Sequence, residues 1–390
     1  MAVRERQRSV LRLACVALVL TLLLTSAPAH AVPSWTKVAS PNRGTVASLL
    51  ADVAAVPGTS TAWAVGYYWD TAAGNFRTLI QRYNGSSWNN VVSPNGISSG
   101  ASQLNDVDAT GASNVWAVGY DGSGTLVLRY NGTSWVRIAA PSASISVRAV
   151  EAVSSTEAWA VGYSGSRAVV VQRKNGAWTT RYTIPVPDGR HLSVFEAVTV
   201  DSSGGVWAVG WDRNYDAPGR PVSTVVVHFD GTSWTREVTP NPDDRNHLMD
   251  VAVAGNGDVF AVGLAQDTSG SGIAGRGLML RRSGGSWAAL AMPPGDAQAP
   301  GQLQSVAATA SGPVWAVGYY SDSGSGLHQP LLLRWTSTGG GTMSTYDVTP
   351  ALTVPAFAYG VSAATSGTLW AVGHQSTTQG DRTLVLRGSP

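Results

Sequence analysis

Six residues stand where this chain can meet a ligand: Tyr67, Trp69, His191, Trp211, Arg213 and Tyr215, all on segments that interrupt an otherwise repetitive sequence. Indole and phenol rings stack on sugar rings or anchor a protein partner, while Arg and His add hydrogen bonds. A second chemistry belongs to Asp52, Asp106 and Asp250, which sit in small-residue apolar runs. Facing a central channel, they would hold a cation or sugar hydroxyls, and a pair about 5 to 9 Å apart would suit glycoside chemistry. The competing reading is a set of locally hydrogen-bonded carboxyls. Asp243, Asp244 and His247 offer oxygen and nitrogen donors but lack a second ligand group, so no metal is assigned. No catalytic set and no cofactor is assigned either.

The elements that carry these residues are set by a four-residue phrase, Trp-Ala-Val-Gly. It begins at Trp63 and returns at Trp116, Trp159, Trp207, Trp315 and Trp370, with Phe260 replacing the Trp once. A spacing of about 43 to 55 residues is a propeller period. Each unit opens with an apolar strand such as Leu50 to Val56, turns through Gly, Ser, Thr or Asn, and continues into the phrase as strand two. Both strands are apolar at successive positions, as burial on two faces requires. Strand three, for example Thr78 to Tyr83, leads to Asn84-Gly85, and the same position holds Asn131-Gly132, Asn175-Gly176 or Asp230-Gly231. These dipeptides predict two-residue hairpin turns into strand four.

The seventh unit stops after its third strand, at Arg387, whereas Ser34 to Pro41 looks like the fourth strand Ser87 to Pro94. The predicted fold is therefore all-β, a seven-bladed β-propeller of four-stranded blades, with the N-terminal strand pairing with the last blade to close the ring. In such a ring the short turns lie on one face. The variable loops, and with them the six residues above, lie on the other, which is the expected recognition face.

Of the 15 Trp, six head the phrase and Trp35, Trp88, Trp135, Trp178, Trp234 and Trp287 fill the fourth-strand position. These read as packing residues, as does Trp335. Only Trp69 and Trp211 fall outside that reading. The Arg at the end of strand three (Arg82, Arg129, Arg173, Arg281, Arg334 and Arg387, with His228 once) recurs too regularly for a local site and reads as a structural ion pair or backbone contact.

Residues 1–31 have the form of an export signal: Arg4, Arg6, Arg8 and Arg12, an apolar core from Leu13 to Leu24, then Ala29-His30-Ala31. Cleavage after Ala31 is expected, leaving residues 32–390 as one secreted propeller domain without a membrane span. The single Cys, Cys15, leaves with the signal, which excludes disulfides, thiolate metal sites and cysteine nucleophiles. The remaining charge is close to balanced, so nucleic acid is not an expected partner. Lys37 and Lys174 are the only lysines, a composition that suits a GC-rich bacterial genome. A monomer is expected.

An apolar strand ending in Gly66, then Tyr83, then Trp88, resembles the repeat of the kelch and galactose-oxidase class of propellers. That class carries two glycines, and here the second is Tyr67, Tyr120, Tyr163, Trp211, Leu264, Tyr319 or His374. The turn Asp230 to Trp234 is similar to a shortened Asp-box of sialidase-type propellers, without its leading Ser and one spacer. The resemblance implies the fold and carries over no catalytic residue: a copper radical oxidase needs a cysteine cross-linked to tyrosine. The functional expectation is a non-enzymatic secreted propeller that recognises a glycan, a cell-envelope polymer or an extracellular protein. The alternatives are a carbohydrate-active enzyme using channel carboxylates, and an assembly scaffold.

Overall fold

A computed structural model describes residues 34–94, 100–122, 124–185, 190–268, 275–309, 312–337 and 341–389. The export signal and its cleavage position lie outside the described residues. Blade 1 runs outward from the axis as Ser48–Ala55, Ala62–Asp70, Asn75–Tyr83 and Trp88–Val91, all antiparallel. The next five blades start with the inner strands Gln103–Gly111, Ile145–Ala152, His191–Val200, Arg245–Val253 and Gly301–Ala308. Blade 7 consists of Ala356–Ala363, Leu369–Thr377 and Gly380–Gly388, and its outer strand is Trp35–Lys37. Closure is as expected, with Trp35 opposite Gly388 and Lys37 opposite Leu386. A short segment not anticipated from sequence, Val348–Thr349, pairs in parallel along the outside of Trp35–Lys37 and covers that edge.

Strand two is buried at each of its first five positions in blade 1, which explains why the phrase is apolar without alternation. Its Trp enters the seam with the next blade. Trp63 packs against Tyr130 and Trp135 of blade 2, with ring centroids 4.7 and 5.2 Å away. Trp370 does the same with Tyr83 and Trp88 of blade 1, at 4.6 and 5.2 Å, so the contact runs across the closure. Phe260 meets Trp335 at 4.8 Å, and Trp315 meets Trp35 at 5.5 Å. Buried apolar side chains fall into seven clusters, one for each seam.

The repeated Arg of strand three lies beside this ring and covers it. Arg82 sits over Trp63 at 5.3 Å, Arg334 over Trp315 at 5.8 Å and Arg387 over Trp370 at 5.8 Å. This Arg is structural, but through cation–π contact on a buried indole in place of the expected ion pair or backbone contact. Among the described residues, Arg281 alone of this set makes an ion pair, with Asp258. In blade 4 the imidazole of His228 takes the same place, stacked on Trp207 at 3.8 Å.

Two sequence expectations change. At Asn84-Gly85 the chain reverses over four residues, with positive φ at Gly85 only, and the Asn84 carboxamide accepts the N–H groups of Ser86 and Ser87. Asn131 and Asp230 do the same, because a Ser two or three residues on offers the N–H that a side-chain acceptor can cap. Asn175-Gly176 makes the expected two-residue turn, with φ of 51° and 91°, and Gly284-Gly285 makes another between Ser283 and Ser286, with φ of 59° and 88°. Second, Tyr68, Trp69 and Asp70 belong to strand two instead of a loop, since Trp69 pairs with Phe76 and Asp70 with Asn75. Trp211 to Asn214 likewise continue strand two of blade 4, opposite His191 to Val194.

Two outcomes test this architecture. Deleting residues before Asn42 removes Trp35 and unpairs the last blade, so the shortened chain should aggregate or melt far below the full one; equal melting temperatures would refute the closure. Trp116 is fully buried between Arg129 and Arg173, with its N–H on Asn114 Oδ1 at 3.0 Å. Trp116→Ala should cost about 3 to 5 kcal/mol in denaturant unfolding.

Candidate binding site at the central channel

Every inner strand carries a β-bulge at the same place. The pairing skips one residue per blade: Ala51, Asn105, Arg148, Glu196, Met249, Gln304 and Tyr359. The bulge explains the Gly that ends the phrase. The carbonyl oxygen of Leu49 lies 2.1 Å from where a Cβ on Gly66 would stand, and that of Ser146 lies 1.9 Å from the same point on Gly162. No side chain fits there. The displaced residues in turn all line one axial cavity of about 490 Å³, which Tyr67 also lines. Bulges that re-aim a side chain are typical of functional positions.

The acidic residues of the inner strands also reach the cavity, together with Asp108 and Glu151, whose role the sequence did not suggest. Each bonds to the inner strand of the following blade. Asp52 accepts the Val107 N–H at 3.0 Å, Asp106 that of Val150 at 2.6 Å, and Asp108 that of Ala152 at 2.8 Å. Glu151 accepts from Val200 at 3.4 Å, and Asp250 from Val306 and the Ser305 hydroxyl, both at 2.8 Å. Ser305 Oγ and Ser362 Oγ accept from Val361 and Ala55 in the same manner, at 3.1 and 3.0 Å. The seam between blades 4 and 5 is held differently, by a parallel bridge from Val222 to Arg245 and an ion pair of Arg282 with Glu237 at 3.2 Å.

These carboxyls keep some surface open to the channel but are walled by protein, and loss of hydration favours their neutral forms. Burial pushes Asp52 up to about 7 and Asp250 up to about 6, against backbone N–H bonds that pull the other way. Asp106 and Glu151 stand well above the ordinary carboxylate range, from burial first and then from the neighbouring charges of Asp52 and Asp108 respectively. Asp108 is raised by burial too. The charge of Asp52 adds to the upward push on Asp106, so neither acid is favoured in its charged form beside the other. The local-bonding interpretation of these acids is the one the geometry supports. Among the described residues no cluster of His, Cys, Asp and Glu has metal-site geometry, and Asp243 and Asp244 are occupied by Arg276 and Thr268.

The six sequence candidates separate into three places. Tyr67 faces the cavity, half-buried against Phe76 at 5.1 Å. Trp69 packs on the other side of Phe76, also at 5.1 Å. In blade 4, Trp211 donates its N–H to Glu196 Oε1 at 2.9 Å, which ties it to a cavity residue. His191 lies 3.6 Å from Asp212, and Arg213 rests over Tyr215 at 5.4 Å. Sequence reasoning missed a contiguous aromatic cluster from blades 6 and 7. Phe357 and His374 stack at 4.7 Å, Tyr359 and His374 at 5.5 Å, and Tyr319 meets Phe357 edge-on at 4.9 Å. Its one signal was that Tyr319 and His374 share the repeat position of Tyr67 and Trp211.

No family model and no curated protein matches the chain. Solved structures similar to it are propellers. The WD40 repeats of RRP9 are 10% identical over 91% of this chain and 97% of that one, with a TM-score of 0.56. An ulvan lyase from a polysaccharide lyase family is 11% identical over 89% and 95%, with a TM-score of 0.56. The propeller of the Trilobed protease from Pyrococcus furiosus is 7% identical over 86% and 92%, with a TM-score of 0.50. At such identities the likeness is one of fold, and it spans WD40 repeats as well as a lyase.

The raised carboxyls make stability depend on pH in a defined direction. Folded, they bind protons more readily than in the unfolded chain, whose carboxyls titrate near 3.8, so their contribution is full below that value. It is lost as pH rises through about 6 for Asp250 and about 7 for Asp52. Burial pushes His247 down to about 4, and this opposes the trend below 6.5. The window from pH 8 to 6.5 isolates the carboxyls: Tm should rise on acidification there. Asp52→Asn, which keeps an acceptor for Val107, should raise Tm at pH 8 and flatten the rise. A wild-type Tm falling across that window would contradict the assignment.

Proposed function

We propose that the protein is a secreted, non-enzymatic propeller that binds a glycan at the loop-bearing mouth of its channel. The observation that carries this is the cavity wall, in which Tyr67 and Tyr359 stand with Asn105, Arg148 and Gln304. Aromatic faces beside a few polar groups form a surface on which a sugar ring stacks while its hydroxyls are hydrogen-bonded. The kelch-like repeat agrees with a propeller that presents such a site. Trp69 on blade 1, and His191, Trp211, Arg213 and Tyr215 on blade 4, stand on the same loop-bearing side and are proposed as outer contacts.

The rival enzymatic reading requires carboxylates free to transfer protons. The channel carboxyls instead accept backbone N–H bonds across the seams, which favours a structural duty. Binding of the cleaved protein to arrayed glycans and cell-wall polysaccharides, followed by calorimetry on any hit, tests the proposal. Tyr359→Ala and Trp211→Ala should each weaken a hit by about 1 to 3 kcal/mol with little change in Tm. Turnover of a bound polysaccharide, or full affinity after joint loss of Tyr67, Tyr359 and Trp211, would overturn it.

A further inference from the structure

The hydrogen-bonding capacity left unused in the channel is of one kind. The acids are occupied by backbone N–H groups, and burial withdraws part of their charge. Arg148 differs. Its guanidinium lies over the Tyr163 ring at 5.5 Å and forms a loose ion pair with Glu196 Oε2 at 3.7 Å, too long for a hydrogen bond. Among the described residues no acceptor takes its N–H groups, and 43% of its side chain is exposed into the cavity. Glu196 is meanwhile engaged on its other oxygen by the Trp211 indole. Two other bulge residues have spare capacity: Asn105 on the adjacent blade 2 uses only its carbonyl, for Gln103 at 3.1 Å, and Gln304 on blade 6, elsewhere on the cavity wall, has no partner among the described residues.

From this geometry we propose that the channel takes its glycan through a uronic acid unit, whose carboxylate pairs with Arg148 while its hydroxyls meet Asn105 and Gln304. The inference rests on the glycan reading above and narrows its ligand class. A planar guanidinium fork matches a planar carboxylate through two parallel bonds. Among the described residues Arg148 is the one cation in the cavity wall, which suits a single negative charge and disfavours a phosphate or a cluster of sulfates. Tyr67 and Tyr359 supply the stacking surface for the ring that bears the carboxylate. The bulge is what holds Arg148 there, since the same residue in register would point into the seam.

The test uses the full chain and tetrasaccharides of galacturonate, mannuronate and hyaluronan, each beside its carboxyl-reduced neutral form. Wild type should bind at least one acidic tetrasaccharide tenfold or more tighter than its reduced form. Arg148→Gln should abolish that preference, weakening the acidic form at least tenfold more than the neutral one. Glu196→Gln keeps an acceptor for Trp211 and removes the competing carboxylate, so it should tighten acidic ligands several-fold; it serves as the second probe if Arg148→Gln does not fold. If neutral forms bind as tightly as acidic ones, or if Arg148→Gln keeps the preference, the uronate assignment is overturned while glycan binding stands. If no saccharide binds at all, both readings fall.

Discussion

Everything in this ring depends on an indole leaving one sheet to lie in the next. Trp63, Trp207, Trp315 and Trp370 start from strand two of their own blades and end among rings of the following one. A four-stranded blade has two apolar faces and cannot bury either alone. The inserted ring does so for both partners, and the Arg or His beside it closes the outer side. At one seam the sizes are exchanged: Phe260 replaces Trp and meets Trp335 where blades 1 and 2 have Tyr83 and Tyr130.

The bulge turns this packing into a binding surface. Without it the inner strand would place alternate residues into the two seams and none toward the axis. With it, one residue per blade is released from packing and free to differ. That freedom explains why the seven released positions include an amide, a cation, an acid and an aromatic, while the position before each stays apolar. The next residue in blades 1, 2, 5 and 6 is Asp or Ser, and each reaches across the seam to the next inner strand. Packing, closure of the inner ring and the chemistry of the channel thus share three consecutive positions.

Blade number, strand order and the N-terminal closing strand were legible because they rest on repetition: the phrase recurs, and Ser34 to Pro41 matches Ser87 to Pro94. That Arg82 and its equivalents are structural was legible for the same reason. The channel residues were not. A bulge reverses the side-chain parity of a strand by one residue, and nothing in Arg148 or Gln304 as letters marks where that happens. The Gly of the phrase was visible, but the carbonyl that demands it comes from another strand. Tyr319, Phe357, Tyr359 and His374 were hidden because they meet only once blades 6 and 7 are side by side. Strand two of blade 1 was read too short because the mixed run Tyr67 to Asp70 is held as a strand by pairing with Phe76 and Asn75, not by its own pattern.

Closing a ring with its first strand also has a cost in time. Thr36 and Arg387 touch although 351 residues separate them, and joining ends that far apart costs about 5 kcal/mol of chain entropy. During synthesis the segment Trp35–Lys37 emerges first and has no partner until the last strand exists. Each seam formed in between brings the ends nearer and lowers that entropy in steps, so the final pairing is made between ends already held close. Each seam thus shortens the loop that the closing pair must close, and the ring is complete only when Trp35–Lys37 meets Gly380–Gly388.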